Sequence, residues 1–186
     1  MDLGRIVIRG IVGPLFIGHG TQKLFGWFQG AGLEGTGGFF ESLGLKPGKP
    51  QAAAAGAAET AGGALLLLGA LTPLAASLIS GSMITAVRTA HAGKGPWVTG
   101  GGYEYNLVLL GAMAAIAQRG PGRPSVDCAV FPDLKGTKWA IAQLAAAAAG
   151  SFAATQLAPS PPEEEQAGGA NGRAARLDRE SAGTPA

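Results

Sequence analysis

The sequence predicts an all-α protein of the membrane: a polytopic four-helix bundle, a fifth candidate transmembrane helix and a disordered C-terminal tail. Three observations carry that prediction. The 186-residue chain is 47% hydrophobic and only 14% charged, with a mean hydropathy of +0.24, whereas soluble domains are usually about one quarter charged. Its apolar residues gather into runs near the roughly 20 residues needed to cross a hydrocarbon core of about 30 Å. The few ionisable residues inside those runs recur at a common depth.

The first run, "IVIRGIVGPLFIGHGTQKLFGW" at 6–27, holds Pro14 and several glycines, which suit a kinked helix packed closely on its neighbours. Arg9 interrupts it and no small-x-small cleavage site follows, so it reads as a retained span and not a signal peptide. Arg9 itself lies within a turn of the end and is expected to snorkel, outside any site. Residues 28–51 form a glycine-rich connection with one short amphipathic stretch, "FFESLGL", whose Phe39 and Phe40 suit a membrane interface or an ordinary packed loop.

The second run, 52–71, and the third, 74–90, are separated only by Thr72 and Pro73 and must form an antiparallel hairpin. The fourth, "YEYNLVLLGAMAAIAQ" at 103–118, is short, with Glu104 and Arg119 at its ends. A fifth candidate, 138–158, is long enough but largely alanine. Beyond Pro159 the chain lacks aromatics and nearly lacks aliphatics, which is too little apolar surface to drive folding. The expected organisation is thus a core over 1–127, a loop and fifth helix over 128–158, and a tail over 159–186.

Arg5 before the first span, and Arg119, Arg123, Lys135 and Lys138 between the fourth and fifth, place the N-terminus in the cytoplasm by the positive-inside rule. With a net charge of +2 and no basic stripe, nucleic acid is excluded as a partner and the lipid bilayer is the expected one. A lone Cys128 excludes internal disulfides, CxxC redox pairs and iron–sulfur sites built from this chain. The two histidines, His19 and His91, have neither the clustering of a zinc site nor the matched depth of haem ligands. No metal is expected.

Alternating helix directions bring the end of span one, the start of span two, the end of span three and the start of span four to one leaflet. His19, Gln22 and Lys23 share a helical face there, and Glu59 comes to the same depth from span two. A polar line of Ser77, Gly81 and Thr85 leads to Arg88 and His91, and Glu104 opens span four. An unpaired charge near the bilayer centre costs about 2.5–3.5 kcal/mol, so Glu59 is expected to pair with Lys23, His19 or Arg88. His19, Gln22, Lys23, Glu59, Arg88, His91 and Glu104 are the candidate ligand-binding or proton-relay residues. An ion pair that merely fixes helix register is the competing explanation.

The motifs "HGTQKLFGWF", "GLEGTGGFFESLGLKP", "AAGAAETAGGALLLLGALTPLAA", "MITAVRTAHAGKGPW", "GGGYEYNL" and "GPGRPSVD", in this order over residues 4–127, resemble the DoxX family of small bacterial integral membrane proteins. That resemblance implies four spans and a location in the bacterial inner membrane. It also implies a subunit of a redox or thiol-stress system, since the family takes its name from a membrane subunit of a thiosulfate:quinone oxidoreductase. Pro73 stands where some relatives would have arginine, and the fifth helix and tail lie outside the shared region. No cofactor motif is present in the chain, so electron chemistry would fall to a redox enzyme partner, with quinone as the ligand to consider. A proton-coupled transporter or channel for a weak acid, and a non-catalytic assembly scaffold, are the alternatives. Catalysis by this chain alone and homo-oligomerisation are left open by the sequence.

Overall fold

The computed structural model describes residues 3–156. Among them stand seven α-helices and no strand: α1 (Leu3–Phe25), α2 (Gly32–Ser42), α3 (Gly48–Leu68), α4 (Thr72–Ala86), α5 (Glu104–Arg119), α6 (Val126–Val130) and α7 (Thr137–Gln156). A π-helical turn, Val87–His91, prolongs α4. The tail expected from residue 159 onward lies outside the described residues.

The expected spans are all present as helices, shifted by a few residues. At 1.5 Å per residue, α1 and α3 are about 34 and 31 Å long. Even so, no helix among the described residues is long and apolar enough to cross a membrane. The physical reason lies in composition and breaks: α1 carries Arg5, Arg9 and Lys23, α3 is rich in alanine and glycine around Glu59, and the π turn cuts α4 to 15 α-helical residues. The connection after α1 is also more ordered than expected. Residues 32–42 form α2, which packs on α3 and α1.

Two seams of small residues set the packing. On α1 and α3, Gly13 meets Gly63 and Gly20 meets Gly56, one heptad apart on each helix. A Cβ on Gly13 would stand 2.9 Å from the Gly63 carbonyl oxygen, one on Gly63 2.6 Å from that of Gly13, and one on Gly20 2.5 Å from that of Gly56. Only glycine permits this approach, and the repeat locks the antiparallel register. On α4, Gly81 and Thr85 face α7, whose buried residues are Gln143, Ala147 and Ser151. Thr85 donates to Ser151 at 2.9 Å, and Gly81 lies opposite Ala147. These two helices therefore run parallel. The fifth candidate helix is a wall of the bundle, packed on α4 and α5, and not an appendage to a four-helix core.

The apolar core, with Phe16, Leu66, Ile79, Leu109, Met113 and Ile116, sits where α1, α3, α4 and α5 meet. Large apolar side chains also cover the outside. Leu3, Val7, Ile11 and Leu15 form an exposed stripe along α1, and Ile141, Leu144 and Phe152 lie exposed on α7, while Arg9, Glu59, Asn106, Asp127 and Gln143 are buried.

Candidate functional site

Lys23 sits in the last turns of α1 and Glu59 near the middle of α3, and the Gly20–Gly56 approach beside them brings the helices close enough for contact. Lys23 Nζ donates to Glu59 Oε2 at 2.6 Å. The carboxylate is nearly buried, with a side-chain exposure of 7%, whereas the ammonium keeps 23%. Neighbouring hydroxyls do not compete. Thr60 bonds back to the Gly56 carbonyl and Thr21 to those of Ile17 and Gly18. The lysine also lies 3.5 Å from the His19 carbonyl oxygen. A carboxylate with a single cation against it, reached through a part-exposed ammonium, can exchange a proton or receive an acceptor group at the lysine.

The other expected site residues do not close around this pair. His19 is exposed, its ring edge-on to Phe16 at 6.3 Å. Gln22 donates to the Phe28 carbonyl at 3.3 Å and shapes the turn after α1. Arg88 turns to α7, donating to Ser151 at 3.1 Å and lying 4.1 Å over the Phe152 ring. His91 Nδ1 is 2.7 Å from the Gly101 carbonyl oxygen, and Glu104 accepts from the Val98 N–H at 3.0 Å. Both hold the α4–α5 connection. The expected convergence of seven residues reduces to Lys23 and Glu59, because the π turn and the α7 wall redirect the α4 end.

Two buried charges at the opposite end were not expected. Arg9 does not snorkel; it is 6% exposed and donates to the carbonyls of Leu66, Leu67, Pro121, Gly122 and Pro124 at 2.8–3.4 Å. The first two are last-turn carbonyls of α3, which a cation satisfies well. Asp127, 2% exposed, accepts from the N–H groups of Leu71 and Thr72 and from the Thr72 hydroxyl at 2.6–2.8 Å, supplying the N-terminal cap that α4 lacks locally. Between them Gly69, at φ +62°, ends α3; a Cβ there would meet the Arg9 guanidinium at 2.8 Å. The tight turn between two runs pointed to four orphaned backbone groups on each side. That was the signal that could have found the clamp.

The DoxX family model matches residues 4–92, the segment from α1 through the π turn. The chain carries a DoxX domain. DoxX family proteins are membrane proteins, and the match supports a membrane location for this chain. No curated protein and no solved structure matches it significantly. The Gly13–Gly63 seam, the Lys23–Glu59 pair and the α3–α4 turn all lie within the DoxX segment, whereas Asp127 and α7 lie beyond it.

Proposed function

We propose that this DoxX protein is a multi-pass inner-membrane subunit of a redox or thiol-stress system, with its N-terminus cytoplasmic. In this reading Lys23 and Glu59 bind a quinone headgroup or a small anion and exchange protons with it. The outward apolar stripes and inward polar groups support the embedded placement, because apolar surface of that extent needs a cover and buried charge needs partners. Individual helices of modest hydropathy can be held in lipid by their neighbours once the seams have formed.

The observation that carries the chemistry is the Lys23–Glu59 contact, a buried carboxylate joined to an ammonium that still reaches the surface. Lysine can hold a carbonyl or anionic oxygen, and Glu59 can take up or release the accompanying proton. Reducing a quinone to a quinol consumes two electrons and two protons; the electrons come from a partner that oxidises thiosulfate or a thiol. The test measures quinone binding to the purified full chain and thiosulfate- or thiol-dependent quinone reduction in membranes. Glu59→Gln and Lys23→Met should each abolish the reduction while the protein accumulates normally. Binding and turnover that survive both substitutions would overturn the site, and Glu59-dependent flux of a weak acid into liposomes would favour a transporter instead.

A further inference from the structure

The seam between α4 and α7 buries polar groups that the protein itself does not satisfy. Gln143 and Ser80 are 1% and 0% exposed. Among the described residues, neither the oxygen nor the nitrogen of the Gln143 amide has a hydrogen-bonding partner, and neither has the Ser80 hydroxyl. A buried donor or acceptor left unpaired forfeits the hydrogen bonds it made to water in the unfolded chain, so almost all such groups in folded proteins are bonded to protein or to ordered water. Three of them on two packed helices call for a partner.

Both residues belong to one stretch of the seam. The parallel register is set by Gly81 opposite Ala147 and by the Thr85–Ser151 hydrogen bond. Ser80 adjoins Gly81, and Gln143 lies one turn before Ala147 on the buried face of α7. The seam is also roomier here than the one between α1 and α3. A Cβ on Gly81 would stand 3.6 Å from the Ala147 carbonyl oxygen and 3.8 Å from its Cα, ordinary contact distances, whereas one on Gly13, Gly20 or Gly63 would collide with the facing helix. The room left at Gly81 is that of a methyl group, close to that of a water molecule. The groups around it are a hydroxyl, a primary amide and a carbonyl. An ion placed among them would find no counter-charge, and an apolar filler would leave the amide unpaired.

We propose that internal water occupies the α4–α7 seam, bonded to both ends of the Gln143 amide, to the Ser80 hydroxyl and to the Ala147 carbonyl. At least two molecules take part, because the amide oxygen needs a donor and the amide N–H an acceptor. The seam fills from the Lys23 end. From Gln143 it runs about 12 Å along α7 to Ser151, where the Thr85 hydroxyl and the Arg88 guanidinium both donate, and Arg88 is exposed. Water thus reaches the interior of the bundle by a route separate from Lys23 and Glu59, and the fixed positive charge at its mouth disfavours cations. The proposal depends on neither the redox reading nor the embedded placement.

Water contact can be read directly, by nuclear Overhauser spectroscopy of the isotope-labelled, perdeuterated full-length protein in detergent micelles. The Gln143 side-chain amide, assigned by its disappearance in Gln143→Leu, should show cross-peaks to water of opposite sign in the laboratory and rotating frames, the mark of a long-lived bound molecule as against proton exchange. They should persist in Ser80→Ala, which rules out relay through that hydroxyl. Gly81→Ala, whose methyl takes the same space, should abolish them, and Gly18→Ala, in open surroundings, should leave them intact. The unsubstituted protein decides the matter even if Gly81→Ala fails to fold. Absence of a water contact at the Gln143 amide would overturn the proposal, as would a contact that Gly81→Ala leaves unchanged in folded protein.

Discussion

Each end of the bundle buries a carboxylate and sets a cation near it, but they use them differently. At one end Arg9 donates only to backbone, at five carbonyls, and Asp127 accepts from two backbone N–H groups and one side-chain hydroxyl. At the other, Glu59 has Lys23 as its hydrogen-bonding partner among the described residues, and the lysine remains part-exposed. Burial alone would rank the Arg9 end as the better candidate site. The partner groups reverse the ranking: charges spent on helix termini hold a turn in place, and a side-chain pair with spare donor capacity can act on something else.

The strongest way to break this contrast is to remove a charge from each end. Arg9→Met leaves the carbonyls of Leu66, Leu67, Pro121, Gly122 and Pro124 without their donor and should have the largest cost, about 1–3 kcal/mol for each carbonyl that stays buried and unsatisfied. Asp127→Asn keeps an acceptor and should cost about 1.5–3 kcal/mol. Glu59→Gln should cost no more than about 1 kcal/mol, because its partner can still reach water. Thermal unfolding in detergent, with the monodisperse fraction after size exclusion, reads all three. If Glu59→Gln is as damaging as Arg9→Met, the Lys23 end is structural too.

A smaller effect should come from the glycine seam that joins the ends. Gly63→Ala puts a methyl 2.6 Å from the Gly13 carbonyl oxygen and should cost about 1–3 kcal/mol by overpacking. It should also move α1 enough to weaken the Lys23–Glu59 contact. Gly18→Ala, with open space around it, is the control and should be neutral or slightly stabilising. Sharper still is the double-mutant cycle of Lys23→Met with Glu59→Gln. A coupling energy of at least about 0.5 kcal/mol marks a direct interaction, and zero coupling would dissolve the pair.

How much of this was legible in the sequence follows from the same contrast. The five long helices were legible because apolar runs separated by glycine and proline punctuate the chain. Lys23–Glu59 was legible because a buried carboxylate demands a cation at its own depth. The burial of Arg9 is not legible because its partners are main-chain carbonyls, which have no sequence signature, and two of them lie on α3 while three lie on a segment more than 110 residues away. The role of Asp127 is hidden for the same reason. Arg88, His91 and Glu104 were grouped with Glu59 on depth alone, and depth does not say which way a side chain faces. The π turn of α4 and the packing of α7 decide that, and neither is written in the hydrophobic period.

The mildest prediction changes no stability and asks which end faces which compartment. Cys128 lines a cavity at the Arg9 end and is partly exposed, so a maleimide that reaches that side of the membrane can modify it. With the N-terminus cytoplasmic, a membrane-impermeant maleimide added to intact cells should leave Cys128 unmodified, and permeabilisation should expose it. In a Cys128→Ala background, Val98→Cys places a thiol on the exposed α4–α5 connection at the Lys23 end and should label from outside without permeabilisation. The two thiols must give opposite patterns if the bundle spans the bilayer. Identical patterns would mean that both ends share a compartment, and then the outward apolar stripes would need a protein partner, not lipid, as their cover.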